Sequence, residues 1–349
     1  MDLFELRTML AAVERMPRPR RFLTATFFGA QPIVATTEHI DIDIIKGNRR
    51  MAPFVLPNRP GTVVARTGPS MRSYRPAYVK PKLETRAGHL MVRQPSENIY
   101  STRTPLDRAG EQLARDMQDL DDRISRREEW MIARALTTGQ VPIVGKGVND
   151  LIDYQMDAEN LVTEATLWTA SGSDPIADLR KYKRRATKKS GRTANACVMS
   201  AEAADAFMDN EEVLKKLNTR RVDLGMIKPE ELPDGVTYLG YINDPGLDLY
   251  SYDEWFTPDN EDDEDDDSGL EDEPMIPAGG LIVGPTTSRN SMLYGAIQDV
   301  EAIEGGLFDV DRYPKSWTEK DPGVRWLMMQ SAPIPGFHEP DAFVFAKVV

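Results

Sequence analysis

The chain has 349 residues, 40% of them apolar and 28% charged, with 43 basic and 56 acidic side chains and a net charge of −13. That length supports a sizeable core and two or three domains, and no apolar run approaches the roughly 18–20 residues that a bilayer crossing needs. The single cysteine, Cys197, excludes an intrachain disulfide and, between Ala196 and Val198, reads as a buried strand residue.

Residues 1–16 fit a short amphipathic helix with Leu3, Leu6, Met9, Leu10 and Val13 on one stripe. The opening is acidic rather than basic and then apolar, so no secretory signal is expected and a cytoplasmic origin fits. Met16-Pro17-Arg18-Pro19-Arg20-Arg21 stops the helix and favours an extended arm reaching Ile45. Within it, Ile33–Thr37 is β-prone, and the alternation Ile40-Asp41-Ile42-Asp43-Ile44 marks a strand with one buried face.

From Met51 to Leu90, prolines at 53, 57, 60, 69, 76 and 81 are interspersed with Arg59, Arg66, Arg72, Arg75, Lys80, Lys82 and Arg86. Gly68-Pro69-Ser70 makes a turn whose flanks, 61–66 and 77–80, can be extended. Such a ribbon is marginal alone and calls for a partner surface. A proline-rich linker is the other reading of this composition.

Thr104 is a candidate N-cap, Pro105 suits the first helical position, and Gly139 suits the stop. Between them Leu106, Leu113 and Leu120 recur every seven residues, as do Met117, Ile124 and Met131. A helix of that length spans roughly 50 Å and, with one apolar stripe, should lie across a sheet. A coiled coil is the runner-up. Gly145-Lys146-Gly147 reads as a hairpin turn, because as a phosphate loop it has the wrong glycine spacing and no Ser or Thr for magnesium.

Ser173-Asp174-Pro175 caps a helix over 175–189, which leads through Gly191 to a strand at Ala194–Met199 and a helix over 200–217. Strands at 238–242, 247–252 and 280–283 follow, as an α+β or α/β unit would have them. The strands at 325–330 and 342–349 should return to the sheet under the long helix. Eleven acidic residues crowd 259–273, and without them 45 acidic side chains face 43 basic ones. Such a block repels itself and should be a mobile loop. It lacks the ligand register of a calcium loop.

Arg180-Lys181-Tyr182-Lys183-Arg184-Arg185, with Lys188, Lys189 and Arg192, is the one nucleic-acid signal, a basic helix over 180–192. It can equally be a solvated face or one paired with the acidic segment, or an intersubunit contact. His39, His89 and His338 lie in separate segments without metal-ligand spacing, and no nucleophile elbow or dinucleotide fingerprint occurs. No catalytic, metal or cofactor site is expected.

Six short motifs carry a resemblance in their order and spacing. They are Tyr78-Val79-Lys80-Pro81-Lys82, Lys216-Leu217-Asn218-Thr219-Arg220-Arg221, Tyr313-Pro314-Lys315-Ser316-Trp317, Asp321-Pro322, Gln330-Ser331-Ala332-Pro333 and Asp341-Ala342-Phe343-Val344. Together they resemble the lambda-type major capsid proteins of tailed phages, the phage capsid E family, with its Hong Kong 97 fold.

The resemblance implies an α+β chain divided into an N-terminal arm (1–45), an E-loop (46–92), a P-domain with a spine helix (93–170 and 305–349), and an A-domain (171–304) carrying the acidic loop. It implies a structural subunit rather than an enzyme. Its copies would form hexamers and pentamers of an icosahedral virion shell around double-stranded DNA, assembled in the host cytoplasm. Partners would be a separate scaffold, a portal, a possible decoration protein and DNA held nonspecifically. Arg59, Arg66, Arg72, Tyr78, Lys80, Lys82, Arg220 and Arg221 are the expected assembly contacts.

Overall fold

One helix organises the molecule. In the computed structural model it runs from Pro105 to Thr138, 34 residues, with a reciprocal capping box at its start. The Asp107 N–H donates to Thr104 Oγ1 (3.2 Å) and the Thr104 N–H to Asp107 Oδ2 (2.9 Å). Gly139 ends it at φ 70°, and a side chain there would also strike Met156. The structure describes residues 4–16, 21–45, 51–64, 68, 70–86, 88, 91–92, 104–217, 225–232, 235–258, 271–321 and 323–349.

The first half of the long helix packs on a three-stranded antiparallel sheet, Tyr313–Lys320, Gly323–Gln330 and Lys82–Arg86 in spatial order. Leu113, Met117, Leu120 and Ile124 cluster there with Leu327 and Met329 of the sheet and with Met9 and Val13 of the helix Leu6–Arg15. The apolar stripe is buried from Leu113 onward, whereas Leu106 is exposed. The first turns instead overhang an apolar groove of about 430 Å³, lined by Phe4, Leu106, Leu113, Val324 and Leu327 among others.

The second half packs with the seven-stranded sheet. Its order is Leu161–Thr163, Val344–Lys347, Gly280–Gly284, Ala196–Met199, Leu247–Tyr252, Val236–Ile242, Gly225–Leu232. Val198 and Ile282 of this sheet share a cluster with Met131, Ile132 and Leu136 of the long helix. Their neighbours Cys197, Met199, Leu281 and Val283 share another with Ile176, Leu179 and Tyr182 of the helix Pro175–Ser190. Cys197 is therefore a buried strand residue, and burial raises its thiol pKa.

Four expectations need correction. The arm is not simply extended: Phe22–Phe27 is a helix whose Leu23 and Phe27 are fully buried. The expected helix over 200–217 is two helices, Ala201–Met208 and Glu211–Leu217, because the Asn210 side chain breaks off to accept from the Glu212 N–H and cap the second. The two C-terminal strands do not complete one sheet: Gly323–Gln330 lies under the first half of the helix, and Val344–Lys347 joins the seven-stranded sheet packed on the second half.

The described residues of the proline-rich ribbon do not pair with one another. Residues 61–64 form no strand, and Ser70–Tyr74 pairs instead with Ile40–Ile44 of the arm, whose three isoleucines are buried as the alternation requires. The Gly145–Val148 hairpin turn is as expected.

Candidate assembly surfaces

The segment 51–64 contributes nothing to its own core. Every residue in it is exposed, and Phe54, at 102% relative exposure, has its ring entirely in solvent. Met51, Leu56, Val63 and Val64 are exposed beside it. An apolar, proline-studded segment of this length gains nothing from water and loses conformational freedom only where something covers it. Arg59 lies within it, and Arg72 projects from the strand that follows, both exposed.

Downstream the chain is tied down. Pro76 is buried, the Tyr78 hydroxyl donates to the Ala296 carbonyl at 2.6 Å, and burial raises its pKa. The Lys80 ammonium sits 4.6 Å from the Tyr78 ring centre, and that of Lys82 lies 4.7 Å from the Trp326 ring. Of the expected assembly contacts, then, Arg59 and Arg72 are presented outward, while Tyr78, Lys80 and Lys82 engage side chains of their own chain. Arg66, Arg220 and Arg221 lie outside the described residues.

The basic helix spends most of its charge inside the subunit. Arg180 grips Asp244 through two hydrogen bonds (3.0 and 2.8 Å), and Lys181 pairs with Glu164 at 2.7 Å. Burial opposes ionisation of Glu164, but the bonds from Lys181 and the Tyr182 hydroxyl, with the charges of Lys181 and Arg185, hold its carboxyl below its ordinary range. Lys183 donates to the carbonyls of Pro245 and Gly246. Arg185 donates to the Glu159 carbonyl, Lys189 pairs with Asp157 and Glu159, and Arg192 reaches Glu339 at 2.7 Å. The partners come from the surrounding fold, not from the described part of the acidic segment. Residues 259–270 lie outside the described residues; beyond them, Glu273–Pro274 pairs with Trp255–Phe256.

A buried ionic group went unread in the sequence. Arg312, just before the strand Tyr313–Lys320, donates to Asp121 (2.7 Å) and to both oxygens of Glu128 (2.8 and 3.0 Å). Burial disfavours its charge, but Glu128, Asp121 and neighbouring groups outweigh that and hold its pKa well above normal. The signal was present: Asp121 and Glu128 fall in phase with Met117, Ile124 and Met131, so two carboxylates occupy the apolar stripe and require a buried cation.

Among the described residues no helix is long and apolar enough to cross a membrane, and no group of three or more potential ligands could hold a metal ion. The comparisons with known proteins are consistent along the whole chain. The family model described as "Phage major capsid protein E" matches residues 5–348. The major capsid protein of Escherichia phage lambda is 29% identical over 360 residues, covering 100% of both chains. That of Enterobacteria phage phi80 is 28% identical over 90% of both. In structure, a capsid-type protein of an E. coli CFT073 prophage superposes with a TM-score of 0.73 at 23% identity, over 99% of each chain.

Proposed function

This chain belongs to the phage major capsid protein E family, and from that premise we propose that its copies associate as hexamers and pentamers of an icosahedral virion shell enclosing double-stranded DNA. Shell building from many copies of one subunit is the family's function. The observation that supports the finer reading is the wholly exposed apolar segment 51–64, with Phe54 free of its own chain. Contacts made by such a segment on a neighbour are heterologous, so they propagate into rings, and several modest ones per subunit add up.

In this reading Arg59, Arg66 and Arg72 flank the contact, with Tyr78, Lys80 and Lys82 fixing the base from which the segment projects. Arg220 and Arg221 belong to a second contact on the unit spanning 171–304, which faces the ring axes. The unit spanning 93–170 and 305–349 forms the shell wall. A separate scaffold, a portal and nonspecifically held DNA complete the assembly, which takes place in the host cytoplasm and leaves an outer surface open to a decoration protein. Nucleic-acid binding through helix 180–192 is disfavoured because most of its cations are already paired within the subunit.

Negative-stain electron microscopy of the expressed chain, with and without a co-expressed scaffold, tests the proposal. Closed shells of uniform size are expected in at least one condition. Only monomers or amorphous aggregate in both would overturn it.

A further inference from the structure

Glu129 is fully buried in the second half of the long helix, yet among the described residues no cation is hydrogen-bonded to it. Its four partners are neutral. The backbone N–H of Leu23 donates to Oε1 at 2.6 Å and that of Thr24 to Oε2 at 3.1 Å. The Thr24 hydroxyl lies 2.6 Å from Oε2 and the Tyr252 hydroxyl 3.3 Å from Oε1. The helix Phe22–Phe27 has no side-chain cap from its own N-cap residue, Arg21. Its free N–H groups are satisfied by a carboxyl group more than 100 positions away in the chain.

The charged groups around Glu129 face other partners, and the buried Arg21 Nε makes no hydrogen bond among the described residues. From the arm, the Arg21 guanidinium donates to the Asp122 carbonyl (3.2 Å) and approaches Glu254 at 3.7 Å. From the long helix, Glu128 is taken by Arg312. From the strand side come Glu254 and the Tyr252 hydroxyl. A carboxylate in this setting has given up water without gaining a hydrogen-bonded cation. Two of its four partners are hydroxyls, which can turn and accept a hydrogen bond from the O–H of a protonated carboxyl, so a neutral carboxyl fits the same cage; the two backbone N–H groups donate to either form.

We propose that Glu129 is a proton-linked latch, which holds the arm segment 21–28 against the long helix and binds it more tightly when the carboxyl is protonated. Burial raises the Glu129 pKa, with the bonds from Thr24 and Leu23 and the charge of Arg21 opposing it in part. The direction of linkage follows. The docked arm takes up a proton that the released arm does not hold. Docking is therefore strongest below the ordinary carboxylate range and weakens as pH rises through the raised value. What is released is Leu23, Phe27 and Phe28, all buried in the docked state, by local opening rather than global unfolding.

Hydrogen exchange on the full-length chain tests this, read at the amides of Leu23 to Phe28 against those of Met131 to Leu136 as an internal standard. After correction for intrinsic exchange, arm protection should fall relative to the standard as the pH is raised from the ordinary carboxylate range through the raised value. Glu129→Gln loses one acceptor, so its arm protection should be lower throughout but flat with pH. Difference infrared spectroscopy of the unsubstituted chain provides a reading that needs no variant: a protonated carboxyl band should fade over the interval in which arm protection falls. A pH response that persists in Glu129→Gln, or wild-type arm protection that does not change with pH, would overturn the latch.

Discussion

The second half of the long helix and the segment 51–64 both carry apolar side chains at high density, with opposite fates. Met131, Ile132 and Leu136 are buried against the seven-stranded sheet, and even the carboxylates of that half are enclosed and satisfied. Phe54, Leu56 and Val63 are exposed to solvent. The subunit thus holds one surface finished within itself and another that its own chain leaves uncovered, which the proposed reading assigns to a neighbour. Stability and assembly should accordingly be separable by mutation.

The largest loss of stability should come from Arg312→Leu. It leaves Asp121 and Glu128 buried without their cation, at a cost of about 3–5 kcal/mol, seen in chemical denaturation as a lower midpoint with an unchanged slope. Leu120→Ala comes next. Leu120 is fully buried between the helix and the strand Gly323–Gln330, and truncation there costs about 2–5 kcal/mol through lost transfer energy and the cavity left behind. A mild result at both positions would mean that the helix is not the centre of the fold.

Removing residues 63–78 sharpens the comparison, because it takes away more than an exposed loop. It strips the strand paired with Ile40–Ile44 and the Tyr78–Ala296 bond, so the subunit should lose part of its stability as well as its capacity to assemble. Arg126→Ala should sit at the small end, since Arg126 is exposed on the outer side of the helix. A short Gly-Ser linker in place of residues 259–270 should likewise leave the melting curve unchanged, because loop length costs only logarithmically.

What was legible in the sequence was local. Thr104 and Gly139 bounded the long helix because caps act on their own turn, and the alternation of Ile40–Ile44 declared its buried face within five residues. The helix Phe22–Phe27 was not legible. It is short, contains two threonines, and gets its N-terminal hydrogen bonds from Glu129. The destination of Val344–Lys347 depends on pairing with strands about 60 and 180 positions earlier. The ribbon 51–90 was visible as proline-rich and basic, but its pairing was misplaced because Ser70–Tyr74 finds its partner in the arm rather than across the turn.

One replacement tests the division between a self-sufficient core and an unfinished surface most directly. Residues 51–64 are exchanged for a Gly-Ser linker of equal length, leaving the strands Ile40–Ile44 and Ser70–Tyr74 intact. Thermal unfolding is measured on both chains as unassembled subunits, and electron microscopy on both under conditions in which the unsubstituted chain forms shells. The expected result is an unchanged subunit melting temperature with no closed particles. Closed shells of normal size from the exchanged chain would contradict the account.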